Sequence, residues 1–295
     1  MQSIGLALVS IALWSFLALL SARVSHLPPF LTAGIALCVS GIGGLVCWRA
    51  WRVPLRTIAV GVAGIFGYHL LYFVAFRHAP PVEVSLMNYL WPLLIVLLSP
   101  AVLPAYRLRV HHLTGALLGL CGAGLIVTGG HLGLDLASLP GYLSATGAAL
   151  IWAIYSLAAK RLPPFPTATV GVFCLLSGVL SLSVFWATAD AAVTAHTPTP
   201  TDWVTLMLMG AGPLGAAFFT WKAAMTRGDP RVIGSLAYIT PLTSTLVLVA
   251  LDDQPLGPTA ALAMVLIVGG AILGSLDLIR RGEVASAGTS GRLSW

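Results

Sequence analysis

The residues best suited to chemistry gather around two prolines, Pro92 and Pro241, each inside a long apolar run. A proline within a helix lacks the backbone donor and frees the carbonyl four residues earlier, here those of Asn88 and Ala237. In lipid such a carbonyl must find protein, water or a bound molecule. Asn88, Tyr89 and Trp91 precede the first proline, and Tyr238 and Thr240 precede the second. An upstream run carries Tyr68, His69 and Tyr72, with the two tyrosines one helical turn apart on one face. Trp152 lies in the middle of another run, with Tyr155 nearby. Such side chains suit a pocket that packs a ring or an aliphatic group and orients it through hydroxyls. Ordinary interhelical packing is the alternative for each aromatic, and a packing kink is the alternative for each proline.

Lys222 is the one lysine or arginine well inside an apolar run. At that depth it either meets a substrate, attracting a carboxylate or carrying a proton, or its long stem snorkels to the interface. His69 is the one mid-run group that titrates near neutrality, with a satisfied core histidine as the other reading. No Asp or Glu lies mid-run; Asp277 closes the last one. The usual carboxylate relay for protons or sodium is therefore missing, which favours uncoupled, facilitated movement. The sequence has no H-E-x-x-H, Walker or G-x-S-x-G motif, so no enzyme and no cofactor is expected. Cys38, Cys47, Cys121 and Cys174 all fall in apolar runs without C-x-x-C spacing, so neither a metal site nor a disulfide framework is expected.

These residues need elements that hold them in a membrane. Of 295 residues, 58% are hydrophobic and only 8% charged, against about 25% charged in soluble domains. An integral membrane protein follows, and disorder, a secreted scaffold and a nucleic-acid partner are excluded. A span needs about 20 mostly apolar residues. Ten are expected near 3–22, 30–48, 57–76, 83–103, 112–129, 139–159, 167–188, 203–225, 232–251 and 256–277. The first lacks the basic n-region of a signal peptide and is expected to be retained. Arg49, Arg52, Arg56, Arg107, Arg109, Lys160, Arg161, Arg227, Arg231, Arg280, Arg281 and Arg292 then fall on the side of the N-terminus, and only Arg23 and Arg77 on the other. The positive-inside bias puts both termini in the cytoplasm. The net charge of +6 thus reports orientation.

The chain also repeats weakly. Leu27-Pro28-Pro29-Phe30 recurs as Leu162-Pro163-Pro164-Phe165, and Tyr72, Ala75, Pro81, Tyr89 and Pro92 match Trp221, Ala224, Pro230, Tyr238 and Pro241 at one constant offset. Residues 1–130 and 131–279 are expected to form two five-helix units, followed by a polar cytoplasmic tail at 280–295. With an odd number of spans per unit the second must insert upside down, an architecture common among transporters.

The spans, the Trp in the first helix of each half, and the P-x-x-x-x-x-x-x-Y-x-x-P pattern across each fourth helix resemble the drug/metabolite transporter superfamily, EamA type. Gly67-Tyr68-His69-Leu70-Leu71-Tyr72 with Asn88-Tyr89-Leu90-Trp91-Pro92 resembles its aromatic amino acid exporter branch. The resemblance implies an all-α integral membrane protein with ten transmembrane helices in two inverted repeats, multi-pass in the bacterial inner membrane. It implies alternating access around a central cavity, without ATP, and export of aromatic and other neutral amino acids. The cavity aromatics carry over onto Tyr68, Tyr72, Tyr89, Trp91 and Trp152; the residue-level reading adds His69, Asn88, Tyr238 and Lys222, with Pro92 and Pro241 as kinks. Membrane lipid and a small-molecule amino acid are the expected partners, and the chain is expected to be monomeric. The first span lacks the glutamate of the small multidrug branch, which speaks against a cationic-drug antiporter. Thr240 stands where a second Trp91 would be, and Phe218 meets His69, so an asymmetric site is expected. Export of another small metabolite or drug-like compound is the alternative within the class. A non-transporting receptor or assembly protein is the alternative outside it.

Overall fold

A computed structural model describes residues 2–131, 135–188, 198–252 and 258–277, with side chains of 248–252 left aside. The polar tail and its arginines lie outside the described residues. Every regular element among the described residues is a helix. Eight are long and apolar enough to cross a membrane: α1 Gln2–Arg23, α2 Pro29–Trp51, α3 Leu55–Ala75, α4 Pro81–Val102, α5 Val110–Thr128, α6 Leu136–Arg161, α7 Thr167–Thr188 and α8 Pro200–Arg227. Helix α9 comes in two pieces, Pro230–Ala237 and Ile239–Asp252, and α10 is the shorter apolar Pro258–Gly274.

Prolines begin α2, α4, α8 and α9 at their first turns, where the missing N–H is unpaired anyway. Several helices extend beyond the runs expected for them, because hydropathy sees only the apolar middle. Helix α8 starts at Pro200 rather than 203 because Thr199 and Asp202 form a capping box, with the Thr199 N–H donating to Asp202 Oδ2 at 2.9 Å. Helix α10 is described over Pro258–Gly274, within the run expected at 256–277.

Besides α2, whose last turns are kinked at Cys47, four helices are interrupted within their spans. Helix α1 breaks at Phe16, α4 at Tyr89 and α9 at Tyr238, and α8 widens through a π turn at Gly212–Ala216 that contains Pro213. The α4 and α9 breaks sit three residues before Pro92 and Pro241, as expected from proline's lost donor and its ring clash. Within the π turn, Pro213 O accepts from Trp14 Nε1–H at 3.1 Å.

Two helix pairs pack backbone to backbone. A Cβ on Gly178 of α7 would stand 2.7 Å from Cys38 N of α2, and one on Gly115 of α5 would stand 2.5 Å from Gly274 N of α10. Without a hydrophobic driving force between helices in lipid, such close small-residue approaches supply the packing. Helix α3 lies along α6, and α1 along α8. Large apolar side chains such as Val46, Leu143, Val204 and Val265 stay exposed on the outside, as a lipid-facing surface requires.

Candidate functional site

The interrupted helices α1, α4, α8 and α9 surround a cavity of about 460 Å³ with α3 and α6. Its floor is tryptophan. Trp14 meets Trp91 and Trp152 at ring-centroid distances of 6.0 Å, both edge to face, and Trp91 meets Trp152 at 6.5 Å. Trp221 lies beneath, 5.2 Å from Trp14 and 5.4 Å from Trp91, with its Nε1–H donated to Ser156 Oγ at 3.0 Å. Edge-to-face contacts of this kind each add about 0.5–1.5 kcal/mol beyond area burial, so the floor is rigid. Tyr68 and Tyr72 form a stacked wall, 5.6 Å apart and 15° from parallel, one turn apart on α3. Phe218 closes on Trp152 at 5.2 Å.

The polar groups are few and placed at the breaks. Asn88 Nδ2 donates to the Tyr68 hydroxyl at 3.2 Å, while Asn88 Oδ1 is buried without a partner. Thr240 Oγ1 is also buried without a partner. Both residues line the cavity, as do Ser21, Ser85 and Ser244. An unpaired buried polar atom costs about 1–3 kcal/mol, so two of them on residues that line one space mark a place where a rearranged side chain could meet a polar ligand. His69 Nδ1 lies 2.7 Å from Ile65 O. A carbonyl only accepts, so Nδ1 carries the proton and Nε2 is left as an acceptor. Among the described residues, the cavity lining contains no Asp, Glu, Lys or Arg.

Of the residues singled out in the sequence, Tyr68, His69, Tyr72, Asn88, Tyr89, Trp91 and Trp152 are brought together on this cavity. Two are not. Lys222 Nζ donates to Phe165 O at 2.7 Å and sits 4.2 Å above the Phe165 ring. Depth along α8 suggested an inward amine, but the side chain reaches back to the loop before α7. Tyr238 is fully buried between helices: its hydroxyl donates to Tyr89 O and accepts from Leu93 N, both at 3.1 Å. Trp14, Phe73, Phe76, Phe218, Thr240 and Ser244 line the cavity without having been chosen as site residues. For Trp14 the signal was its place in the first helix of the repeat; for Thr240, its place just before Pro241.

The cavity leads toward one end of the bundle. A further space of about 220 Å³ shares Leu17, Ser21, Tyr68 and Tyr72 with it and extends to Val24, Ser25 and Leu27 in the α1–α2 connection. The opposite, basic end is fastened. Lys160 Nζ donates to Gly228 O at 2.7 Å and Thr226 O at 3.1 Å, and Arg161 donates to Val102 O at 3.2 Å. Tyr106, between α4 and α5, lies under both Lys160 and Arg231, at 5.6 and 5.3 Å. Arg231 also pairs with Asp229 at 2.6 Å and donates to Arg107 O. Asp277 meets Arg109 at 2.8 Å, His111 at 3.2 Å and His112 at 3.3 Å. The His111, His112 and Asp277 donors are close enough to one another for a metal, but the donor set does not fit one. His112 Nδ1 accepts the Arg109 N–H at 3.2 Å, so the neutral ring carries its proton on Nε2, the atom facing Asp277. Arg109 beside the carboxylate adds repulsion for a cation.

Comparison with known proteins agrees with this architecture. The EamA-like transporter family matches residues 1–128 and 139–276. The aromatic amino acid exporter YddG of Ancylobacter novellus is 40% identical over 281 residues, 92% of this chain and 96% of that one. The exporter of the same name from Salmonella typhimurium is 30% identical over 300 residues, covering 94% and 97% of the two chains. A solved crystal structure with 38% identity superposes with a TM-score of 0.88 over 95% of this chain and 98% of the other. The chain belongs to the EamA-like transporter family and is a multi-pass transporter of the inner membrane.

Proposed function

We propose that the protein exports aromatic and other neutral amino acids by alternating access, without an obligatory ion gradient. The observation that carries this reading is the cavity itself: uncharged among the described residues, floored by Trp14, Trp91 and Trp152, walled by Tyr68 and Tyr72, and lined by Asn88 and Thr240, whose Oδ1 and Oγ1 are buried without partners. A flat apolar ring packs on the tryptophans. The substrate ammonium donates to Asn88 Oδ1, and the Thr240 hydroxyl donates to the carboxylate. A net-neutral zwitterion suits a lining without charge, because an isolated ion there would lack a counter-charge. The relatives' name, aromatic amino acid exporter, points the same way. A lining without Asp or Glu among the described residues supports facilitated movement.

Ten spans in two inverted halves, residues 1–130 and 131–279, with both termini in the cytoplasm, complete the reading. Support comes from the two family matches at 1–128 and 139–276 and from the paired breaks at Tyr89 and Tyr238. The packing is also consistent: α2 on α7 and α5 on α10 join corresponding helices, while α3 on α6 corresponds to α8 on α1. The basic end is then cytoplasmic, and the cavity opens to the periplasm. The test is efflux from cells loaded with labelled phenylalanine. Cells producing the protein should lose label faster than cells producing Trp91→Ala at equal membrane abundance. Equal efflux from both would remove Trp91 from the site.

A further inference from the structure

The breaks in α4 and α9 are equivalent in sequence but are treated unequally in the structure. In an unbroken α4, the Leu93 N–H would donate to Tyr89 O, its i−4 carbonyl. The Tyr238 hydroxyl instead stands between these two atoms, accepting from Leu93 N and donating to Tyr89 O, both at 3.1 Å. It acts as a wedge from α9 that occupies one rung of the α4 ladder. The wedge is built in: Tyr238 is fully buried, and Gly119 of α5 leaves its ring the space that any side chain there would fill. Tyr89 is the equivalent residue of α4, yet it is partly exposed and lines the cavity. One tyrosine is a wedge while its counterpart faces the ligand.

Inverted halves exchange conformations when the open side changes. An asymmetry between equivalent residues in one state must therefore appear reversed in the other. We propose that Tyr89 and Tyr238 exchange the wedge between the two access states. With the cavity open at the α1–α2 connection, Tyr238 holds the break in α4. With the basic end open, the Tyr89 hydroxyl stands between Leu242 N and Tyr238 O in the break of α9, and Tyr238 turns to the cavity. The pair are positioning residues: the wedge fixes the segment that carries Asn88 and Trp91, and ligand at Tyr89 is felt directly by the residue that must move. This inference rests on the inverted-repeat, alternating-access reading.

Removing single hydroxyls tests it. Nitroxides at Ser25 and Val82, both exposed at the open end, on a background without Cys38, Cys47, Cys121 and Cys174, report mouth-open and mouth-closed distances by double electron–electron resonance. Phenylalanine is added as the probe ligand at a concentration that populates both distances. Tyr238→Phe is expected to shift the open-to-closed ratio about tenfold toward closed, and Tyr89→Phe about tenfold toward open, the scale of one or two hydrogen bonds. Both substitutions keep the ring, so the packing is retained. Two populations in the parent that ignore both substitutions, or move the same way in both, would overturn the exchange and leave alternating access standing. A single distance in the parent and in both variants, with and without ligand, would overturn alternating access and the exchange together.

Discussion

Asn88 and Thr240 line a largely aromatic cavity and each carries a buried polar atom without a partner, and Lys222 places its charge elsewhere. Asn88→Leu is therefore expected to raise the half-saturation concentration for phenylalanine exchange about tenfold, because the buried acceptor for the ammonium is lost. An unchanged value in vesicles would place the ammonium at another group. Lys222→Met is expected to leave half-saturation unchanged and to lower the melting temperature in detergent by a few degrees. Its ammonium holds Phe165 O, and about 1 kcal/mol corresponds to a few degrees in a chain of this size. A selective loss of affinity would return Lys222 to the site. Sequence depth alone marked Lys222 as a site residue, because hydropathy gives a position along the helix and not a direction around it. The tyrosines were readable because Tyr68 and Tyr72 share a face by helical period. Trp221 was not readable as a floor residue, since only folding brings it under Trp14 and Trp91.

Among the elements, the breaks were the most legible feature, because Pro92 and Pro241 dictate them locally. The π turn in α8 was not, although Gly212-Pro213 stands at it; nothing in the sequence says that Trp14 donates to the Pro213 carbonyl. The helix pairs α2–α7 and α5–α10 depend on glycines at their contacts. Gly178→Leu is expected to abolish folded protein, because even a Cβ would stand 2.7 Å from the α2 backbone; size-exclusion chromatography of the solubilised protein reads this. A monodisperse, thermostable variant would contradict the packing. At the basic end, Tyr106 between Lys160 and Arg231 ties the α4–α5 connection to α6 and α9. Tyr106→Ala is expected to open that end more often, seen as a severalfold faster reaction of a cysteine at Leu103 with a membrane-impermeant thiol reagent applied from the basic side. No change in rate would show that the fastening lies with Lys160 and the helix-end carbonyls alone.

At the scale of the whole molecule, composition and charge distribution carried most of the architecture: a chain with 8% charged residues has few ways to fold outside lipid. The membrane class, helix order and approximate boundaries follow from that, while the shape of the cavity and its open side needed the packing. The central claim is that a neutral, tryptophan-floored cavity at paired helix breaks carries amino acids without an ion gradient. Its most direct test is counterflow in liposomes containing purified protein, preloaded with unlabelled phenylalanine, with labelled phenylalanine outside and all ion gradients set to zero. Saturable accumulation of label that falls about tenfold in Trp91→Ala is the expected result. No accumulation by folded protein at zero gradient, with uptake restored only by an imposed proton or sodium gradient, would contradict it.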